Sequence, residues 1–333
     1  MKELISKLEQ TALETDFSGV ISIFKHTASI FNKAFGYRDI KNELPNTTST
    51  IFGIASGTKV FTALGIGKLV DQGVIALETT IREIDPEYTD FIAPHATIQH
   101  LLAHTSGMYD YYDEEIHHDW DNFFLDIPGY QLETPSDYYA LFENQAMKFQ
   151  PGERFSYSNG GYVFLGMLIE KLTGRLYRDF ILEHVLQAAH MHNSGFYAMN
   201  DLPANTANGY LEDRKTTNIY QLPLRGGGDG GMFTTTDDMC SFWDSLFSYK
   251  ILSKELTDTY LSTHHAFDDV VGYGCGVYKR VDNSMYMLEG GDAGVGFNSR
   301  YFVADKMTVN ILSNITDGEE DMRDVVVDFF EGA

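Results

Sequence analysis

Strand-like stretches lie at the two ends of this chain, and the middle is helical and loop-rich. Ser18 to Phe24 (S-G-V-I-S-I-F) and Ser29 to Phe35 are strand candidates, with a polar turn around His26-Thr27 between them. From Val271 the pattern returns. Gly272 to Tyr278, Met285 to Leu288, Val295 to Ala304 and Met307 to Leu312 are short strand candidates joined by tight turns such as Val281-Asp282-Asn283. Strands so far apart in sequence share a core only if the chain ends meet, so a single antiparallel sheet built from both ends is expected. Residues 2–14, with Leu4, Ile5, Leu8 and Leu13 on a stripe, and Glu319 to Phe330 read as terminal helices covering one face. A mainly helical region, 76–224, then packs on the other face. The predicted architecture is α+β. It is one domain, 1–333, with an α/β sheet subdomain (1–75 with 225–333) and a helical subdomain (76–224).

The segment Gly53 to Gly73 (G-I-A-S-G-T-K-V-F-T-A-L-G-I-G-K-L-V-D-Q-G) reads as a buried helix, mostly apolar and ended by Gly73. Gly65 and Gly67 let another helix approach closely. At its start Ser56 and Lys59 stand three residues apart, on one helical face, so hydroxyl and amine can meet. In the first turn the Ser56 N–H is an orphan donor that can hold an oxyanion, with the helix dipole behind it. A lysine buried there loses proton affinity and can act as a base toward serine. A capping serine followed by a snorkelling lysine has the same spacing, so the motif alone does not decide.

Composition narrows the function classes. A chain of 333 residues can bury a large core, and 20 Tyr with 23 Phe oppose disorder. The 24 basic and 48 acidic residues leave a net charge of −24, which repels nucleic acid and anionic membranes. Cys240 and Cys275 are too few for a disulfide scaffold or a metal set and read as buried small hydrophobes. The start MKELISKLEQ lacks the apolar core of a signal peptide, and no 18-residue apolar run follows. The chain as given is therefore expected to be soluble, without membrane insertion, and cytoplasmic, or extracellular if a leader has been removed. One chain carries no signal of its oligomeric state.

Other polar segments invite chemistry. Phe149 to Ser158 (F-Q-P-G-E-R-F-S-Y-S) turns at Pro-Gly into Tyr157-Ser158-Asn159, followed by two glycines and a helix from Tyr162 to Leu172. A tyrosine held near Lys59 can relay a proton, and Asn159 can hydrogen-bond Lys59 or a substrate amide. An Asx-type turn with a half-buried tyrosine is the plainer alternative. Glu289 to Phe297 (E-G-G-D-A-G-V-G-F) joins two strand candidates. Its glycines, Gly291 among them, let a strand edge approach a substrate, and an N–H near Asp292 can be a second oxyanion donor. Between His104 and Lys148 there are ten Asp or Glu, no Lys or Arg, and many aromatic rings. That stretch is either a solvated surface whose rings plug into the core or the wall of a cleft favouring cations. R-G-G-G-D-G-G (Arg225 to Gly231) lacks the spacing of a phosphate cradle. His100 and His104 are four apart without the glutamate of H-E-x-x-H, and read as a helix-packing pair.

Together these pieces resemble the serine beta-lactamase-related family, which comprises class C beta-lactamases, D,D-peptidases, D-amino-acid-specific aminopeptidases and similar esterases. S-x-x-K at Ser56 and Lys59 and Y-S-N at Tyr157 to Asn159 look like its first two signatures. Ile98 to Gly107, Phe149 to Asn159, Tyr162 to Gly174 and Gly230 to Met239 resemble its supporting segments, in order from about residue 17 to 313. The resemblance implies Ser56 as acylated nucleophile, Lys59 and Tyr157 as general-base pair, and Asn159 as a supporting polar residue. It places the oxyanion between the Ser56 N–H and one near Asp292. It also implies an active site between the sheet and helical subdomains, with no metal or organic cofactor.

The third signature departs from the family's pattern. Related proteins usually begin this segment with lysine or histidine; here it is Glu289-Gly290-Gly291. A carboxylate there would repel a substrate carboxylate, and in a partly dry cleft it could pair with Lys59 or a substrate amine. The departure argues against efficient turnover of penicillins or of peptides ending in free D-alanine. The expected function is a serine acyl hydrolase acting on an amide, peptide or ester of a neutral or cationic small molecule or peptide, with weak or no beta-lactamase activity. The alternative is a binding or sensor protein that acylates slowly or not at all.

Overall fold

The computed structural model of the chain describes residues 1–331. Eight strands form one antiparallel sheet: β1 (Gly19–Lys25), β2 (Ala28–Phe35), β3 (His265–Ala266), β4 (Val271–Tyr273), β5 (Tyr278–Arg280), β6 (Met285–Asp292), β7 (Val295–Phe302) and β8 (Met307–Ser313). Their order is β2-β1-β8-β7-β6-β5-β4-β3, so the chain ends meet where β1 pairs with β8 in the register Ser22↔Asn310. β1 is buried along its length except at Lys25, which is why it reads as a continuous apolar run rather than an alternating one. Its two faces serve different cores. Ile21 and Ile23 join Leu4, Leu8, Met322 and Val326, whereas Val20 faces the larger cluster on the other side.

The first of those cores is closed by the terminal helices, α1 (Lys2–Glu14) and α5 (Glu320–Glu331), which pack on each other. Leu4, Leu8 and Ala12 recur at helical spacing and are buried there. The opposite face differs from expectation. It is covered mainly by α4 (Thr236–Phe247), whose Trp243 donates its indole N–H to Ser299 Oγ at 2.8 Å and stacks on Tyr301. The helices of the middle region pack instead on α2 (Lys59–Asp71), which runs through the larger core. A Cβ on Gly65 would meet Ile181 Cδ1 at 2.5 Å and Ile169 Cδ1 at 3.0 Å, so this glycine does permit close helix approach. Ile169 belongs to α3 (Asn159–Thr173), which ends at Gly174 with φ of +67°.

The predicted strand from Gly272 to Tyr278 is broken into β4 and β5. Between them Gly276 takes φ of +75°, and a Cβ there would lie 2.9 Å from Val60 Cα. The interruption lets the sheet edge turn over the start of α2, and it leaves Tyr273 and Tyr278 on either side of the turn. β6 runs beyond the predicted Leu288 to Asp292, pairing Gly291 with Gly296 on β7. Among the described residues no helix is long and apolar enough to cross a membrane.

Candidate active site

The helix carrying S-x-x-K begins as a tight 3₁₀ turn, Ala55–Thr58, and becomes α-helical at Lys59. Ala55 enters it at φ of +42°, a left-handed conformation rare for alanine and costly enough to need support from its surroundings. Thr58 supplies part of it: its Oγ1 donates to Ala55 O and accepts from Met232 N. The turn lifts Ser56 to a half-exposed position while Lys59 stays buried.

Lys59 Nζ makes three hydrogen bonds: to Ser56 Oγ at 2.9 Å, to Asn159 Oδ1 at 2.7 Å and to the carbonyl O of Asp229 at 2.8 Å. Asn159 cannot turn its amide round, because its Nδ2 donates to Tyr112 O at 2.9 Å and to Glu114 Oε1 at 3.4 Å. Asn159 Oδ1 and Asp229 O only accept, so two of the three positions on Nζ must carry protons. The third faces Ser56 and can be a proton or a lone pair. Burial lowers the proton affinity of Lys59, while the surrounding carboxyls of Asp229, Glu114, Asp110 and Asp292 work against that fall.

Tyr157 brings its ring centroid to 4.8 Å from Lys59 Nζ and lines a small cavity together with Ser56, Lys59, Tyr278 and Glu289. Burial raises its phenol well above the ordinary value, Glu114 adds to the rise, and a hydrogen bond with the Ser56 side chain opposes it. At neutral pH it is therefore a protonated phenol. The ring is held by His104, whose centroid lies 4.4 Å away. His104 is not half of a helix-packing pair. It lies beyond the helix Ile98–Leu102 at φ of +56°, where its Nδ1 accepts from Ser158 N at 3.0 Å and its Nε2 meets Tyr273 OH at 3.0 Å. Burial, and secondarily Lys59, push its protonation well below the usual histidine range, which fits a neutral ring whose Nδ1 is an acceptor. His100 instead caps its own helix with Thr97.

Y-S-N-G-G forms the first turn of α3. Ser158 caps it by accepting from Gly161 N at 2.9 Å, and Asp110 accepts from Asn159 N and Gly160 N at 2.7 and 2.8 Å. Gly160 is required because a Cβ would lie 2.7 Å from Tyr109 O. Burial still raises Asp110 to about 7 against those hydrogen bonds.

Glu289 corrects the expectation drawn from the third signature. It does not pair with Lys59. Its Oε1 accepts from Asn298 Nδ2 at 3.1 Å and faces Arg300 at 3.5 Å. The cause is register: Glu289 sits directly across from Asn298, and Arg300 follows two residues along on the same face of β7. Its neighbour Gly290 carries the closest approach in the site. A Cβ there would lie 2.2 Å from Ile54 O and 3.0 Å from Ser56 N, so β6 passes directly against the Ser56 turn. Gly291 and Asp292 continue along that edge into a cleft shared with Ser56, Tyr112, Trp120, Asn159 and Asp229. Enclosure raises the Asp292 carboxyl to about 7 although Ala293 N–H donates to it.

Sequence reasoning missed Asp110, Glu114 and Asp229 as parts of this site. The glycine run Arg225 to Gly231, set aside as a poor phosphate cradle, is what delivers Asp229 O to Lys59. A Cβ on Gly228 would lie 2.1 Å from Tyr162 O, and Gly228 O accepts from Thr62 Oγ1 at 2.5 Å. The rings of the acidic stretch divide: Tyr138 and Phe142 are core, whereas Tyr112 and Trp120 stack at 4.1 Å and line the cleft.

Comparison with known proteins bears on the fold and the family. Penicillin-binding protein 4* of Bacillus subtilis is 30% identical over 298 residues, 83% of this chain, and the chain spans 64% of that relative's length. The crystal structure of a penicillin-binding protein from Bacillus halodurans superimposes with a TM-score of 0.90 at 35% identity, covering 97% of this chain and 100% of that one. A D-amino acid amidase from Ochrobactrum anthropi shares the fold at a TM-score of 0.80 and 20% identity, covering 100% and 99%. The beta-lactamase family model matches residues 5–327, and the chain belongs to that family.

Proposed function

We propose that this protein is a serine acyl hydrolase that works through an acyl-enzyme on Ser56, cleaving amide or ester bonds of neutral or cationic substrates. The observation that carries the reading is the fixed set of partners on Lys59 Nζ, which leaves one position free to change its proton count, and that position faces Ser56 Oγ. As Oγ attacks the carbonyl carbon, its proton passes to the lone pair of neutral Lys59. The oxyanion lies between the Ser56 N–H and the N–H of Asp292. When the tetrahedral species collapses, Tyr157 gives its proton to the departing nitrogen or oxygen, and Lys59, whose Nζ lies 4.8 Å from the Tyr157 ring centroid, passes the proton it took from Ser56 to the phenolate. Water then repeats the sequence in reverse to release the acid and free Ser56.

The leaving group belongs on the side of Ser56 where Tyr157 stands, because the proton donor must reach it. That side carries Lys59 and Glu289, the latter held by Asn298 and Arg300, whereas the acyl side carries Asp229 and Asp292 without any Lys or Arg among its lining residues. The acyl side therefore disfavours anions. The amidase, sharing this fold, supports amide-type chemistry. The test is kcat/KM on matched substrates that differ only in the charge of the acyl end. The expected order is cationic or neutral above anionic; a clear preference for the anionic member contradicts the substrate class.

A further inference from the structure

Beyond the Ser56 cleft lies a second cavity of about 70 Å³. It is lined by apolar side chains including Met199, Leu202, Ala207, Phe233 and Val295. Folded interiors hold few voids larger than a water molecule, and this one, walled largely by apolar side chains, has room for a small apolar group. It adjoins the cleft, since Tyr111, Leu222, Pro223, Asp229, Gly230 and Asp292 line both. The partition is polar and narrow: Tyr111 OH donates to an Asp229 carboxylate oxygen. Tyr157 and Glu289 line neither space, so the chamber opens off the side of Ser56 opposite the proton donor.

We infer that this chamber takes a small apolar group of the acyl portion of the substrate, an alkyl group of a few carbons, reached past the Tyr111–Asp229 pair. The inference rests on the acyl-transfer reading of Ser56, because that reading fixes which part of the substrate faces away from Tyr157. Gly227 offers a direct way to fill the space. It is buried, yet a Cβ built on it meets nothing closer than Asp229 Oδ1 at 3.7 Å.

The test is kcat/KM of the full chain on p-nitrophenyl esters from acetyl to octanoyl. In the wild type it rises about fourfold per methylene until the chamber is full. Gly227→Leu and, independently, Leu202→Trp each lower the butanoyl-to-acetyl ratio about tenfold. Thermal unfolding checks that each variant is folded, and the wild-type series needs no variant at all. A flat wild-type series overturns the inference, as does a ratio unmoved in folded variants. If the acetyl ester is turned over by Ser56 and the ratios do not move, the chamber assignment alone is wrong. If no ester shows Ser56-dependent turnover, the acyl-transfer reading fails and the assignment goes with it.

Discussion

Asn159 holds Lys59 at 2.7 Å through an oxygen that cannot be exchanged for its nitrogen, because Tyr112 O and Glu114 already take the amide N–H groups. This neutral acceptor orients the lysine without adding charge. Asn159→Asp replaces it by a carboxylate of the same shape, which stabilises the ammonium form. The ascending limb of the kcat/KM–pH profile then moves to higher pH, and activity at pH 7 falls about tenfold or more. An unmoved limb with reduced activity would show that Asn159 acts only on packing.

Asp292→Asn has the opposite sign. Asp292 is one of the carboxyls that raise the proton affinity of Lys59, and its oxygen accepts Ala293 N–H, a bond the asparagine oxygen keeps. Removing the charge makes neutral Lys59 available at lower pH, so the ascending limb shifts downward. The wild-type limb itself lies below the ordinary lysine value of 10.5, since burial is the largest influence on Lys59. Stopped-flow acylation rates across pH measure both.

Gly290→Ala tests how closely β6 must pass the Ser56 turn. The added carbon meets Ile54 O at 2.2 Å, a backbone atom that cannot swing aside. Relief requires the strand or the turn to move, at a cost of about 1–3 kcal/mol in stability. The same shift displaces the oxyanion donors, and kcat/KM falls about a hundredfold. Near-wild-type kinetics in a folded variant would mean that this strand edge does not set the reacting geometry.

Glu319 links stability to pH from outside the site. Among the described residues its Oε2 is buried without a partner, and a Cβ on Gly296 would lie 2.0 Å from it. Burial raises its carboxyl from 4.5 to about 7. A raised carboxyl contributes stability that is fully present below 4.5 and is lost as pH rises through about 7. The loss is on the order of 3 kcal/mol. Glu319→Gln, neutral throughout, flattens this part of the fall in Tm between pH 5 and 8; an unchanged slope in the variant contradicts the assignment.

The parts legible in the sequence are those in which local geometry carries the message. Ser56 and Lys59 share one turn, so their spacing alone brings hydroxyl and amine together. The capping serine and the two glycines after Asn159 mark a helix start wherever they occur. Asp110 and Glu114 were hidden because single acids in an acidic stretch have no periodicity to set them apart. Asp229 was hidden for a different reason: Lys59 uses its carbonyl oxygen, and backbone atoms leave no residue-type signature. Glu289 shows the limit from the other side. Its departure from the family's usual lysine or histidine is plain in the sequence, but its partner Arg300 faces it only once the β6–β7 register is set.

The central claim is that Ser56 becomes covalently acylated with Lys59 as the base. Intact-protein mass spectrometry after rapid mixing with an activated ester tests it most directly, with peptide mapping to locate the adduct. The account predicts one acyl group per chain on Ser56, absent in Ser56→Ala. In Lys59→Arg, whose guanidinium stays protonated, the rate of its formation falls about a thousandfold or more. Turnover of the ester that persists in Ser56→Ala, or an adduct mapped to another residue, would contradict it.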